Sequence, residues 1–206
     1  MEVDEQWKNM FDRDVLKDSI QMIALFITVY ELLENTVVSR PKEFYTIVDF
    51  DDKARRDYRE HVISLYDPAA IPGINGRRKD IIASLLWFRN GGAINDADIQ
   101  VFVESKKLRN RLAHKMFDCI AEGGARLVKP FSQMYALFRK LEQWWILEIE
   151  VPISGEFEPD QIDADQVKSG HMVMLEVILD ILAHNSNANY KDLCDMIGVP
   201  VKDGGA

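Results

Sequence analysis

The sequence predicts an all-α protein: a helical bundle over residues 1–150, then an acidic linker and a C-terminal helical appendage over 151–206 packed on it. Three observations lead there. Apolar residues recur at helical spacing along nearly the whole chain, as in Leu16, Ile20, Ile23, Ile27 and Tyr30. Proline and glycine fall between the apolar runs, at Pro41, at Pro68 to Gly76, at Gly91-Gly92 and at Gly123-Gly124. Only Phe44 to Val48 and Ile149 to Val151 read as strands, and both are short. A chain of 206 residues, 47% hydrophobic and 29% charged, can bury a core of ordinary size.

The first helix is expected from about Asp14 to Ser39. Pro41 should end it, because proline lacks an N–H and its ring clashes with the preceding turn. A second helix covers about Asp52 to Leu65 and stops at Asp67-Pro68. Pro68 to Gly76 is a loop. Ile81, Ile82, Leu85, Leu86 and Phe88 mark a third helix, ended by Gly91-Gly92.

Asn95 is placed to cap the fourth helix, with Asp96 and Asp98 in a first turn where the helix dipole favours acids. This helix is expected to run unbroken to about Glu122. Pro130 opens a fifth, as proline can at the first helical position. It carries Met134, Leu137, Phe138, Leu141, Trp144, Trp145 and Leu147. Val151 to Asp165 reads as a linker. Two more helices are expected over about Gln166 to Ala183 and Tyr190 to Ile197, and the tail from Val201 should fray.

Charge and composition narrow the function. A net charge of −9 argues against binding nucleic acid with the whole surface. The acidity is concentrated: residues 141–206 hold thirteen Asp or Glu and three Lys, whereas residues 1–140 hold twenty-one acids and twenty-two bases. The acidic third is expected to pack plainly, with Met172, Val173, Leu175, Val177 and Ile178 inward. Nucleic-acid mimicry or docking of a basic partner is the second reading.

Cys119 and Cys194 are expected to be buried reduced thiols. The acidic start lacks the basic region of a secretory signal, and the apolar run Ile20 to Leu33 is too short to span a bilayer. The expectation is a soluble, cytoplasmic protein with no membrane partner. His61, His171 and His184 are scattered without ligand spacing, so no metal or cofactor is expected. No Gly-rich phosphate loop, Walker lysine or Gly-x-Ser-x-Gly elbow is present.

The chemistry-bearing stretch is Leu108-Arg109-Asn110-Arg111-Leu112-Ala113-His114, in the fourth helix. It sits in a dense basic cluster with Lys106, Lys107 and Lys115. On a helix Asn110 and His114 stand at i and i+4 and share a face. Leu108 and Leu112 share another and should face the core. A guanidinium that grips phosphate, beside an imidazole that titrates near neutrality, suits chemistry on a phosphodiester.

Arg109-Asn110-Arg111-Leu112-Ala113-His114 resembles the Arg-x4–6-His signature of the HEPN superfamily, in which a polar residue commonly follows the arginine. The likeness covers roughly residues 10–150 and rests on this motif and the helical pattern. It implies a four- to five-helix bundle that dimerises, with the two motifs meeting at a shared cleft. It also implies a metal-independent endoribonuclease, often an effector of toxin–antitoxin or phage-defence systems and often restrained by an antitoxin or other regulatory partner. Some HEPN toxins carry a tyrosine two residues after the histidine, where a nucleotidyltransferase modifies them. Here that position is Met116, so control by that modification is not expected.

Arg109, Asn110 and His114 are accordingly the expected catalytic residues. His114 would act as general base or acid, Arg109 would bind phosphate, and Asn110 would orient His114 or the phosphate. Lys106, Lys107, Arg111 and Lys115 would steer RNA. Glu31 and Glu34 read first as a solvated helix face and second as acidic partners for Arg109. Arg77-Arg78-Lys79 reads first as a polar helix start and second as an extension of an RNA track. Trp144 and Trp145 read as core or dimer interface rather than base-stacking platforms. A non-catalytic helical module that binds RNA or a protein partner is the alternative function.

Overall fold

The computed structural model describes residues 11–46, 52–155, 162–185 and 188–200. The described residues are predominantly helical and contain no strand. In chain order they form α1 (Arg13–Thr46), α2 (Asp52–His61), α3 (Lys79–Asn90), α4 (Asp96–His114), α5 (Met116–Ala121), α6 (Val128–Trp145), α7 (Val151–Ser154), α8 (Gly170–Asn185) and α9 (Ala188–Ile197). A five-residue π-helical stretch, Ile146–Glu150, joins α6 to α7. Of the strand candidates, Phe44 to Thr46 and Ile149 to Val151 are helical, and Ile47 and Val48 lie outside the described residues.

The chain divides into two compact units, each discontinuous in sequence. Unit 1 comprises Met1–Tyr30, Ser105–Ala136 and Lys168–Ala206. Unit 2 comprises Glu31–Glu104 and Leu137–Val167.

In unit 1, Met22, Phe26, Leu112, Phe131 and Met134 are fully buried. Gly124 lies so close to α1 that a Cβ there would sit 3.1 Å from the Cα of Ser19. The approach is fixed by a 2.9 Å hydrogen bond donated by the Gly124 amide to the Ser19 hydroxyl.

On α8 the expected inward set divides. Met172 and Leu175 are buried, whereas Val173 and Val177 are exposed, together with Met174 and Ile181. Apolar character alone does not tell which side of a hydrophobic helix faces inward.

In unit 2, Leu33, Ile82, Leu85, Phe102, Phe138, Leu141 and Trp145 are buried. Helix α3 ends as its glycines imply. Gly92 takes φ +79, the Gly92 amide bonds the carbonyl of Arg89, and the Ala93 amide bonds that of Phe88, which is a Schellman closure. Trp144 packs edge-on to Trp87 and Phe88, with ring centroids 6.0 and 5.8 Å away. The tryptophans of α6 therefore serve unit 2's own core.

Pro41 does not end α1: the helix continues through it to Thr46, with Pro41 buried. An internal proline costs roughly 3 kcal/mol through its missing N–H and ring clash. Packing in the last turn of the helix offsets that cost. Phe44 lies against Tyr45, Trp87 and Trp145.

One residue before the proline, Arg40 reaches Glu142 at 3.3 Å, Glu43 at 3.3 Å and Glu150 at 3.4 Å. Its guanidinium also lies 5.0 Å from the Trp145 ring centroid. Glu142 is fully buried and accepts a further bond from the Thr36 hydroxyl, while the Trp145 indole donates to Glu150.

Helix α1 is also longer than its apolar run. By length and composition the stretch Arg13–Tyr45 reaches what a membrane span needs, with half of its most apolar window buried. Met22, Phe26, Val29, Leu33 and Val37 recur at helical spacing on it, each at most 3% exposed, which is the stripe of a core helix.

Candidate functional site

Helix α4 carries the motif. It starts on a capping box: the Asn95 side chain accepts from the Asp98 amide at 3.0 Å, and the Asp98 carboxylate accepts from the Asn95 amide at 2.9 Å. Ile99, Phe102, Val103 and Leu112 are buried along its length. This stripe fixes the rotation of the helix and leaves Asn110 and His114 exposed, one turn apart. A histidine kept for packing would be inside; this one is at the surface, at the last residue of α4.

Arg109 is partly buried. Its guanidinium carbon lies 5.6 Å from the centroid of the buried Tyr30 ring. One of its nitrogens donates to the side-chain oxygen of Asn110 at 3.2 Å. The ring and the amide together hold the cation and limit the rotamer freedom that a free arginine would have to lose on binding phosphate. Asn110 thus orients Arg109. Glu34, one of the acids considered for that role, is paired with Arg78. Tyr30, the residue before Glu31, was unreadable as a partner because it continues the apolar stripe of α1.

The helix expected to reach Glu122 breaks after His114. Lys115 leaves helical geometry at φ −131, ψ 41, and α5 begins at Met116. On an unbroken helix, residues 111 and 122 would lie about 16 Å apart along the axis, too far for their side chains to pair. With the break, Arg111 and Glu122 form a direct ion pair, and Arg126 joins Glu122 at 2.9 Å. The break also leaves Met116 and Phe117 exposed beside His114, at 43% and 75%.

Arg111, Glu122 and Arg126 rim a cavity of about 220 Å³, with Leu108, Leu112, Cys119 and Pro130 among its apolar lining. Cys119 is buried, and burial pushes its thiol above the ordinary 9.0, with Arg111 pulling the other way. It is therefore protonated at neutral pH and is not the nucleophile. Cys194 is also a buried free thiol.

The expected RNA-steering residues divide as well. Lys107 and Lys115 are exposed, whereas the Lys106 ammonium is buried and Arg111 is paired with Glu122. Among the described residues no group of three or more His, Cys, Asp or Glu is placed to hold a metal ion. No family model, curated protein or solved structure matches the chain.

Proposed function

We propose that this chain is a metal-independent endoribonuclease of the HEPN type. One observation carries the reading. Arg109 is held between the Tyr30 ring and the Asn110 amide, while Asn110 and His114 stand exposed on one face at the end of α4. A phosphate-binding cation is thereby ordered five residues, roughly one and a half helical turns, from an accessible imidazole.

RNA supplies its own nucleophile. The 2′-oxygen forms a bond to phosphorus as the bond from phosphorus to the 5′-oxygen breaks. One His114 takes the proton from the 2′-hydroxyl, and a protonated His114 from a second copy delivers a proton to the departing 5′-oxygen. Each proton transfer is worth ~10²–10⁴ in rate. Arg109 binds the scissile phosphate and stabilises the charge developing on it. The exposed Lys107 and Lys115 draw the substrate in. The products are a 2′,3′-cyclic phosphate and a 5′-hydroxyl.

A single histidine cannot be base and acid in the same step, which favours a homodimer. The exposed Met116 and Phe117 beside His114 offer apolar surface for the second copy. The biological role in this reading is a cytoplasmic toxin or phage-defence effector, restrained by a regulatory protein partner. The test is product chemistry on an RNA oligonucleotide. Cyclic-phosphate ends, and resistance when the cleaved nucleotide carries a 2′-deoxy sugar, support the proposal. Cleavage of the deoxy-substituted strand at the same bond contradicts it.

A further inference from the structure

We propose that unit 2 carries a separate nucleic-acid contact: a basic cleft between the end of α1, α2 and the start of α3 that holds the phosphate backbone of single-stranded RNA. Two adjoining cavities, of about 520 and 370 Å³, share Lys79 and Asp80. Lys42, Arg55, Arg59 and Lys79 line the first, and Arg77, Arg78 and Lys79 the second. Of the acids, Asp80 lies 3.8 Å from Lys42, and Glu34 pairs with Arg78. Among the described lining residues six cations face one acid, Asp80, on a chain whose net charge is −9. Such local excess draws in a polyanion that the rest of the surface repels.

Two further features favour nucleic acid over a small free anion. The combined cavities are much larger than one phosphate group. They are also flanked by tyrosines: the Lys42 ammonium lies 5.9 Å from the Tyr58 ring centroid, and that of Lys79 lies 5.6 Å from that of Tyr66. Tyr66 is itself anchored by its hydroxyl, which donates to the carbonyl of Gly76. Basic groups on aromatic faces make a surface that tracks a backbone and tolerates any base. The start of α3 has no side-chain cap, so its dipole adds to the field. Along the chain, Arg77-Arg78-Lys79 is a polar helix start; the fold brings it together with Arg55 and Arg59.

The identity of the polyanion as RNA rests on the ribonuclease reading, so binding is measured apart from cleavage. The full chain carrying His114→Ala is titrated against fluorescein-labelled oligouridine by anisotropy over a series of salt concentrations. The same protein with Arg55→Gln, Arg59→Gln and Lys79→Gln is expected to bind at least tenfold more weakly. Its salt slope should be shallower by about two, since each phosphate contact to a single strand contributes roughly 0.7. The charge-preserving set Arg55→Lys, Arg59→Lys and Lys79→Arg should retain the affinity, and a circular-dichroism melt checks that each variant is folded. Should the triple Gln protein prove unfolded, the exposed single change Arg59→Gln is read in the same way.

Unlabelled oligouridine should displace the probe and polyglutamate should not. Unchanged affinity and slope in the Gln protein would overturn the cleft, as would equal displacement by polyglutamate, which would mark an acidic protein partner instead. Cleavage assayed on the otherwise unaltered chain decides the ribonuclease reading on its own, whatever the binding shows.

Discussion

Arg109 and Tyr30 meet as cation and ring, with the guanidinium carbon 5.6 Å from the ring centroid. A cation over an aromatic face contributes about 0.5–2 kcal/mol depending on desolvation. Replacing the ring by an aliphatic side chain removes one of the contacts that hold the guanidinium without touching the imidazole. Tyr30→Leu should therefore lower kcat/KM for RNA about 2- to 30-fold, while Tyr30→Phe, which keeps a ring, should stay near the unaltered value. Equal losses in both variants would show that Arg109 does not depend on the ring.

Glu142 is a fully buried carboxylate held by Arg40 and Thr36. Removing one partner of a buried pair leaves the other charge uncompensated, at a cost of roughly 3–5 kcal/mol. Glu142→Ala should lose about that much in urea unfolding. Thr36→Ala removes one neutral bond to the same carboxylate and should lose less. The comparison of the two midpoints checks the account of how α1 continues past Pro41.

Much of the fold is legible because local chemistry and tertiary packing agree. Asn95 with Asp98 spells a capping box that forms, and Gly92 takes the positive φ that only glycine adopts easily. The exposure of Asn110 and His114 follows from the buried stripe that ends at Leu112. Two features were not legible because distant residues decide them. The helix passes through Pro41 on the strength of contacts to Trp87, Glu142 and Trp145. The break after His114 carries no proline or glycine; an ion pair across eleven residues marks it, and spacing along one helix cannot announce a contact that exists only once the helix has broken.

Gly124 is required for closeness. Because a Cβ there would stand 3.1 Å from the Ser19 Cα and 3.3 Å from the Asp18 carbonyl oxygen, Ala forces backbone to move. Gly124→Ala should cost about 1–3 kcal/mol, the usual range for overpacking. A melting temperature unchanged within error would mean that α1 yields easily at that point.

Asp18 is 8% exposed, and burial raises its carboxyl pKa above the ordinary 3.8, with Lys17 opposing and Asp14 reinforcing. The folded chain thus holds this proton more tightly than the unfolded chain does. The resulting stabilisation is complete below the unfolded value and is lost as pH rises through the folded one. Asp18→Asn should therefore raise thermal stability at neutral pH, and the advantage should vanish below pH 3.8. Paired melts at acidic and neutral pH give the sign directly.

The central claim is that His114, presented by Arg109 and Asn110 at the end of α4, cleaves RNA without a metal. The most direct measurement incubates the purified chain and its His114→Ala variant with total cellular RNA in EDTA. Cleavage by the unaltered chain that disappears in the variant is the predicted result. Cleavage that persists unchanged in His114→Ala, or RNA left intact by both proteins, would contradict it; the second outcome would point to a helical module that binds without cutting.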